Sequence, residues 1–469
     1  MSDEAIKSYA SVVNSYPYEV HNDCNCIRDQ IEKCLRELNY KIIVLDDDPT
    51  GTQTIHSVPV FTSFTEQAIN QAFLEASQTV FFLTNSRALG EEETEQLHKD
   101  IGNVIEKVST IHQQPYILIS RSDSTLRGHY PLELNTLYEV NPIYDGEIII
   151  PSFFEGGRYT YQDVHYLKDG DDLIPVHQTE FAKDKTFGFS SGHLPTYIME
   201  KSNGKVQQDD IISISVEDLR TRDIALMKDK IKKHEGYASI VVNALNEHDL
   251  QVFSIVILEL IKEGYHYLFR TAASFVKAIA GISTQPFITP EIKQAKGLII
   301  VGSHVDLTTR QLAFLQEHAG DISFIEFDVN QVNDQSNTEV EIQRVQSLIN
   351  NSEQTVCLET SRRYIASKKD EMDDLTFSTK VSACLVQLVQ GLTFTPSFIL
   401  SKGGITSSDI AVHGLNIKKG TVLGQIEKGI SVWKADQDSK FPSAPLIIFP
   451  GNVGNENTLH QVYTTLTQQ

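Results

Sequence analysis

Residues 41–54, KIIVLDDDPTGTQT, carry an apolar run that ends on three adjacent carboxylates, Asp46, Asp47 and Asp48. Adjacent carboxylates repel one another, and each costs free energy to desolvate unless a cation or a hydrogen-bond donor is at hand. A strand end followed by an Asp-Pro-Thr-Gly turn accounts for Pro49 and Gly51, but not for three acids together. Residues 120–133, SRSDSTLRGHYPLE, supply counter-charge. Arg121 and Arg127 offer planar forks suited to a carboxylate or a phosphate. Asp123 between them would be held ionised, and Ser124, Thr125 and the backbone around Gly128 add donors. An ordinary helix cap with a surface Arg–Asp pair is the plainer alternative. In a third cluster, at 151–184, Gly156 and Gly157 let backbone approach a ligand closely, and Arg158 is a further anion-binding candidate. His165 and His177 read as packed or hydrogen-bonded residues rather than catalytic ones.

The second half carries a different pattern. VGSHVDLTTRQ at 301–311, SKGGITSSDI at 401–410 and FPGNVGNENTL at 449–459 are each a strand end, a glycine-bearing loop and a helix start. Backbone N–H groups at such junctions cradle phosphates. Three of them in one domain point to a nucleotide-phosphate site, although neither a Walker A sequence nor a GxGxxG fingerprint is present.

Asp46-x-Asp48-x-Thr50 after an apolar strand also resembles the haloacid-dehalogenase-type phosphatases, in which the first Asp is a nucleophile, the second an acid/base and Mg²⁺ neutralises the carboxylates. Gly51 departs from that motif, and its downstream Lys and paired-Asp elements are missing. A Mg²⁺-dependent phosphohydrolase with Asp46 as nucleophile is therefore an alternative.

These residues need elements to hold them. Short runs rich in Ile, Val and Phe recur along the chain, among them VFFLTNSR, YILISRSDS, EIIIPSFF, SIVVNAL and YLFRTAAS, then GLIIVGSH, TVCLETS, SFILSKGG and PLIIFPGNVG. Helix-like segments lie between many of them, at 66–76, 91–108, 217–234, 248–263, 308–318, 338–350 and 376–391. The alternation predicts an α/β fold of mostly parallel sheets flanked by helices. The segment 282–297, with two prolines and few apolar anchors, reads as a linker. Two domains are expected, 1–285 and 286–469, with polar clusters at the carboxyl ends of the strands and the active site in the cleft between the domains.

A length of 469 residues agrees with two large domains. A net charge of −22 argues against nucleic acid as a partner, yet a few local arginines can still attract a small anion. The acidic N-terminus lacks signal-peptide features and no apolar run approaches a membrane span, so no membrane partner is expected. Five cysteines do not suggest a disulfide framework, and a cytoplasmic location is the simplest reading. His21, Cys24, Cys26 and Cys34 lie close in sequence, but Cys34 falls on the apolar face of a helix, which argues against zinc there.

Taken in order, LDDDPTGTQT, SRSDSTLRGH, PSFFEGGRYT with HQTEFAKD, FRTAASFV, VGSHVDLTTRQ, SKGGITSSDIA and FPGNVG resemble the four-carbon acid sugar kinase family over nearly the whole chain after residue 40. The resemblance implies a sugar-acid-binding N-terminal domain, a nucleotide-binding C-terminal domain, and transfer of phosphate from ATP, with Mg²⁺, to a terminal hydroxyl of a small-molecule substrate such as threonate, erythronate or 3-oxo-tetronate. It implies substrate-site roles for Asp46, Asp48, Thr50, Gly51, Arg121, Arg127 and Arg158, and a proton-accepting role for Asp47 or Asp123. ATP contacts would fall at Ser303, at Lys402, Gly403, Gly404, Ile405 and Thr406, and at Gly451 and Asn452. The resemblance leaves the residues that would hold Mg²⁺ open. The chain departs from commoner members in reading GGIT for GGDT, PGNVG in the last loop and Asn243 for a frequent Asp, marking a variant subgroup and leaving a sugar-acid-binding protein without catalysis as an alternative. A homodimer is the default assembly.

Overall fold

Near-continuous β-branched and aromatic runs become strands buried on both faces. β2 (Lys41–Asp46) is buried along its whole length, as are β4 (Thr79–Leu83) and β12 (Tyr267–Thr271). The computed structural model describes residues 5–16, 24–292, 296–362, 374–442 and 444–468. They form two units, Met1–Thr54 with Ser63–Thr284, and Ile55–Thr62 with Gln285–Gln469.

In the first unit, β2 and β4 join β5 (Tyr116–Arg121), β6 (Gly146–Ile150), β10 (Ile211–Ile214), β11 (Ala238–Val242) and β12 in one parallel array, ordered β10-β11-β6-β12-β5-β2-β4. The register sets Asp46 beside Arg121 and Leu83, and Arg121 beside Thr271. The carboxyl ends of β2, β4, β5 and β12 thus share one edge, and the polar segments follow from it. Helices cover the sheet; Glu247–Lys262 and Ala273–Ile279 are buried along most of their length. The helix expected over 217–234 is two helices, Val216–Thr221 and Ile224–Lys232, because Arg222 turns left-handed (φ 56°) and Asp223 caps the second.

A small antiparallel sheet accompanies the parallel array, within the mostly parallel fold expected. β1 (Lys7–Ser8), β9 (Asp172–Pro175), β8 (Val164–Asp169) and β7 (Arg158–Tyr161) pair in that order. It is packed around Tyr159, Tyr166 and Leu173.

In the second unit, β13 (Leu298–Val301), β14 (Ile322–Phe327), β15 (Thr355–Thr360), β16 (Ile399–Lys402) and β19 (Leu446–Phe449) run parallel, ordered β19-β16-β13-β15-β14. An antiparallel hairpin, β17 (Lys419–Glu427) and β18 (Ile430–Ala435), pairs with β19 through β18. β17 buries alternate residues, as a strand packed on one face should. Its other edge pairs with β3 (Val58–Phe61), so a strand from the N-terminal part of the sequence completes the C-terminal unit. Residues 280–292 carry neither helix nor strand, and the Ile288 N–H donates to the Gln425 carbonyl at 2.7 Å.

Candidate active site

The three aspartates leave the end of β2 into a short 3₁₀ turn, Pro49–Thr54, whose residues are all buried. The Thr50 N–H donates to Asp48 Oδ1 at 2.8 Å and the Gly51 N–H to the Asp48 carbonyl at 3.0 Å. Glycine is required at 51, because a Cβ there would overlap the Asp46 carboxylate. Thr50 and Gly51 therefore shape the turn around the acids.

Beneath the surface lies a sealed layer of charge. Arg121 Nη1 is 3.0 Å from Asp46 Oδ1 and 3.4 Å from Asp47 Oδ1, and the Ser122 hydroxyl donates to Asp47 Oδ2 at 3.0 Å. Burial drives the Asp46 carboxyl up to about 7, against the pull of Arg121 and with help from Asp47 and Asp48. Its Oδ2 has no hydrogen-bond partner among the described residues. Burial also raises Asp47, opposed by Arg87 and Arg121. Asp48 moves the other way, because Arg87 and Arg121 outweigh its burial.

Above that layer the cluster opens. Arg87, just beyond the end of β4, pairs with Asp48 and, through Nη1, with Asp123 Oδ1 at 3.3 Å. Arg127 Nε donates to Asp123 Oδ2 at 2.8 Å, and its guanidinium lies over the Phe181 ring, 4.9 Å from the centroid. Asp184 borders Arg127 at 3.9 Å. The side chains of Asp123, Arg87 and Arg127 are 13, 21 and 25% exposed, whereas those of Asp46, Asp47 and Arg121 are 4% or less. Burial would raise Asp123, but Arg127 and then Arg87 reverse that and hold it far below the ordinary carboxylate range. Arg158 is close enough to feel the charges of Asp123 and Arg127, and its Nη1 donates to the Gly156 carbonyl.

The loop after β5 is fixed from several sides. The Ser122 N–H donates to the Thr271 carbonyl at 2.8 Å, and the Tyr197 hydroxyl to the Leu126 carbonyl at 3.0 Å. Buried His165 donates through Nε2 to the Ser124 carbonyl at 2.7 Å and accepts at Nδ1 from Thr160. Burial depresses this imidazole to about 4, which keeps it neutral and makes it a loop anchor. Three members of the cluster are absent from the sequence reading: Arg87, Glu133 and Arg270. Glu133 accepts from Ser86, Ser120 and Arg270 under the same sheet edge. The runs VFFLTNSR and YLFRTAAS contain both arginines at strand ends, the signal that could have found them.

In the second unit, four adjacent parallel strands bring the glycine loops to one edge. Val301, Glu359, Lys402 and Phe449 lie in register across β13, β15, β16 and β19. The Ser303 N–H donates to the Lys402 carbonyl at 3.2 Å, and the Gly403 N–H to the Phe449 carbonyl at 2.9 Å. Thr308 Oγ1 bridges Ser303 Oγ at 3.1 Å and the Gly451 carbonyl at 3.0 Å. Gly403 has φ +123°, a Cβ at Gly302 would strike Thr406, and one at Gly451 would strike Ser303. Ser303, Gly403, Gly404, Thr406 and Gly451 are thus gathered into a bare backbone cradle of the kind a polyphosphate fits.

The Lys402 side chain turns into the protein, toward the base of the last glycine loop. It is wholly buried, donates to the Pro450 carbonyl at 3.1 Å and lies over the Phe449 ring. Burial, aided by the charge of Arg362, drives its ammonium pKa far down. Ile405 and Asn452 are exposed.

Among the described residues, no three His, Cys, Asp or Glu side chains are grouped to hold a metal. His21 lies outside those residues, and Cys34 is buried on its helix near Glu259 and Lys262. No described helix is long and apolar enough to cross a membrane.

Residues 42–279 match the family model for a sugar-binding N-terminal domain, and residues 298–459 the model for a nucleotide-binding C-terminal domain. The chain belongs to the four-carbon acid sugar kinase family. Among curated proteins it is similar to a D-erythronate kinase of Heliobacterium modesticaldum, 23% identical over 319 residues. The match takes in 65% of this chain and 66% of that relative, just under two thirds of its length. Among solved structures, a Salmonella typhimurium LT2 protein described as a tRNA synthase superposes with a TM-score of 0.65 at 17% identity, covering 90% of this chain and 98% of that one. A Haemophilus influenzae protein from a family of unknown function gives 0.61 at 16%, covering 90 and 100%. At these identities the likeness concerns the fold.

Proposed function

We propose that the protein is an ATP-dependent kinase that phosphorylates a terminal hydroxyl of a four-carbon sugar acid of the threonate, erythronate or 3-oxo-tetronate type. The observation that carries this reading is the part-exposed Arg87–Asp123–Arg127 group above a sealed carboxylate layer, within the stretch matched by a sugar-binding model. Arg127, with Arg87 and with Arg158 from β7, binds the sugar carboxylate through bidentate forks. Asp123 accepts the hydrogen bond of the attacking hydroxyl and takes its proton late in the transfer. Its depressed pKa suits an orienting acceptor better than a base that deprotonates in advance. Asp47, under the loop, holds Ser122 and faces Arg121, and so fixes the loop that carries Asp123.

In the second unit the N–H groups of the Gly403–Thr406 turn and the Ser303 and Gly451 loops hold the nucleotide phosphates. ATP, when bound, supplies the phosphoryl group. Mg²⁺ is expected to arrive on those phosphates, and no protein ligand is assigned to it. The same reading expects a cytoplasmic enzyme with a small-molecule substrate and a homodimeric assembly. Asp46 is a poor candidate for a phosphatase nucleophile, since it is 1% exposed, covered by Gly51 and substantially protonated near neutral pH.

The test is an ADP-release screen of the purified protein against four-carbon sugar acids and their keto forms. ADP production with one of them, lost in Asp123→Asn, is the expected result. Sugar-acid binding without ADP from any of them would make it a binding protein instead, and ATP-independent phosphatase activity would restore the Asp46 alternative.

A further inference from the structure

Arg362 lies two residues beyond the end of β15, the strand next to β13 in the parallel array. Its Nη1 donates to the carbonyl of Ser303, a residue of the glycine-lined cradle. Its Nε and Nη2 are buried and have no hydrogen-bond partner among the described residues. These two nitrogens form one side of the guanidinium plane, the side whose parallel N–H bonds match two oxygens of a phosphate or carboxylate. Burying two such donors unpaired costs free energy unless a ligand satisfies them. Glu359 is the carboxylate whose charge Arg362 feels most, ahead of Glu326, but it is drawn elsewhere, accepting from Gln316 at 3.0 Å. Lys402 and His304 also feel the charge of Arg362, and burial together with that charge depresses both. An anion is the ligand that two unpartnered guanidinium donors favour.

We propose that Arg362 binds two oxygens of the nucleotide polyphosphate side-on through Nε and Nη2, with Nη1 keeping the Ser303 loop in place. The proposal rests on the nucleotide reading of the second unit and adds to it a charged side-chain ligand in a site otherwise built from backbone and hydroxyl groups. Arg362 would supply the charge that Lys402, buried against Pro450 and Phe449, does not present.

The test measures binding of ATP, ADP, AMP and adenosine to the full-length wild-type chain, to Arg362→Met and to Arg362→Lys, by calorimetry, with thermal unfolding as a check on folding. Loss of a charge-assisted bidentate contact should weaken ATP and ADP by about ten- to a hundredfold. Adenosine should bind nearly as before, and Arg362→Lys should recover only part of the loss, since a point charge lacks the fork. Equal affinities in wild type and Arg362→Met would overturn the proposal while leaving the nucleotide site standing. A uniform loss across all four ligands would also overturn it, reducing Arg362 to a support for the Ser303 loop. A wild-type chain that binds none of the four would remove the nucleotide reading and this proposal together.

Discussion

Arg121 Nη1 lies 3.0 Å from Asp46 Oδ1, with both side chains at or below 4% exposure, so the pair has little water to share its charge. Breaking a buried pair from one side leaves the other charge stranded, here beside Asp47 and Asp48 as well. Arg121→Met should destabilise the protein by roughly 3–5 kcal/mol. Urea denaturation checks this, and Asp46→Asn in the same chain should recover part of the loss. A midpoint unchanged by Arg121→Met would mean that the aspartates do not depend on it.

Asp123 holds the exposed end of the same cluster. Asp123→Asn keeps the shape and removes the proton acceptor, so turnover should fall by about 10²–10⁴-fold. ATP affinity should be unaltered. Steady-state ADP release and calorimetry on the same sample separate the two effects.

Arg127 makes its strongest link to Asp123 and stacks on Phe181, leaving guanidinium nitrogens for a ligand carboxylate. Arg127→Gln should raise the KM for the sugar acid by at least about tenfold, the cost of a lost charge-assisted contact. ATP affinity measured without sugar acid should not move. If KM stays constant, the carboxylate is held elsewhere.

The acids of this edge also set a pH profile. Asp46, raised to about 7 from an ordinary 3.8, keeps a proton in the folded chain that the unfolded chain has already released. Stability should therefore fall as pH rises between those values and level off above them. Glu133 contributes with the opposite sign. It is buried, yet Arg270 helps to hold it at about 2, so its contribution is present above 4.5 and is lost as pH falls toward 2. Asp46→Asn should flatten the first slope and leave the second, as read from urea midpoints across the range.

Gly51 has no room for a side chain. Gly51→Ala would drive a methyl group into the Asp46 carboxylate and force the turn outward, at about 1–3 kcal/mol. The melting temperature should drop. A neutral result would show that the turn relaxes freely.

Much of this arrangement is legible in the sequence because strand ends are. An apolar run that stops at a polar cluster locates one edge of a parallel sheet, and LDDDPTG, SRSDSTLRG and SKGGIT all announce it. Arg87 and Arg270 are harder to see, because their partners Asp48 and Glu133 lie in distant segments and only strand order brings them together. Local patterning likewise conceals that Lys402 turns inward beneath Phe449, since a lysine beside a glycine pair reads as a phosphate ligand. The buried tyrosines of 159–166 carry no periodicity that separates a small antiparallel sheet from a ligand loop. Depth is what the sequence leaves out: Arg121 and Arg127 look equivalent six residues apart, yet one neutralises buried acids and the other reaches the surface.

β3 carries a consequence for how the protein is made. The chain passes between the units at 54/55, 62/63 and 284/285, so no single cleavage separates them. A fragment starting at residue 285 would lack Val58–Phe61 and leave β17 with a row of unpaired N–H and C=O groups along one edge. During synthesis, Val58–Phe61 emerges early and must wait for its β17 partner until Lys419–Glu427 has left the ribosome. The last part of the chain to be translated can finish folding only around a piece of the first, so the two halves are inherited and assembled together.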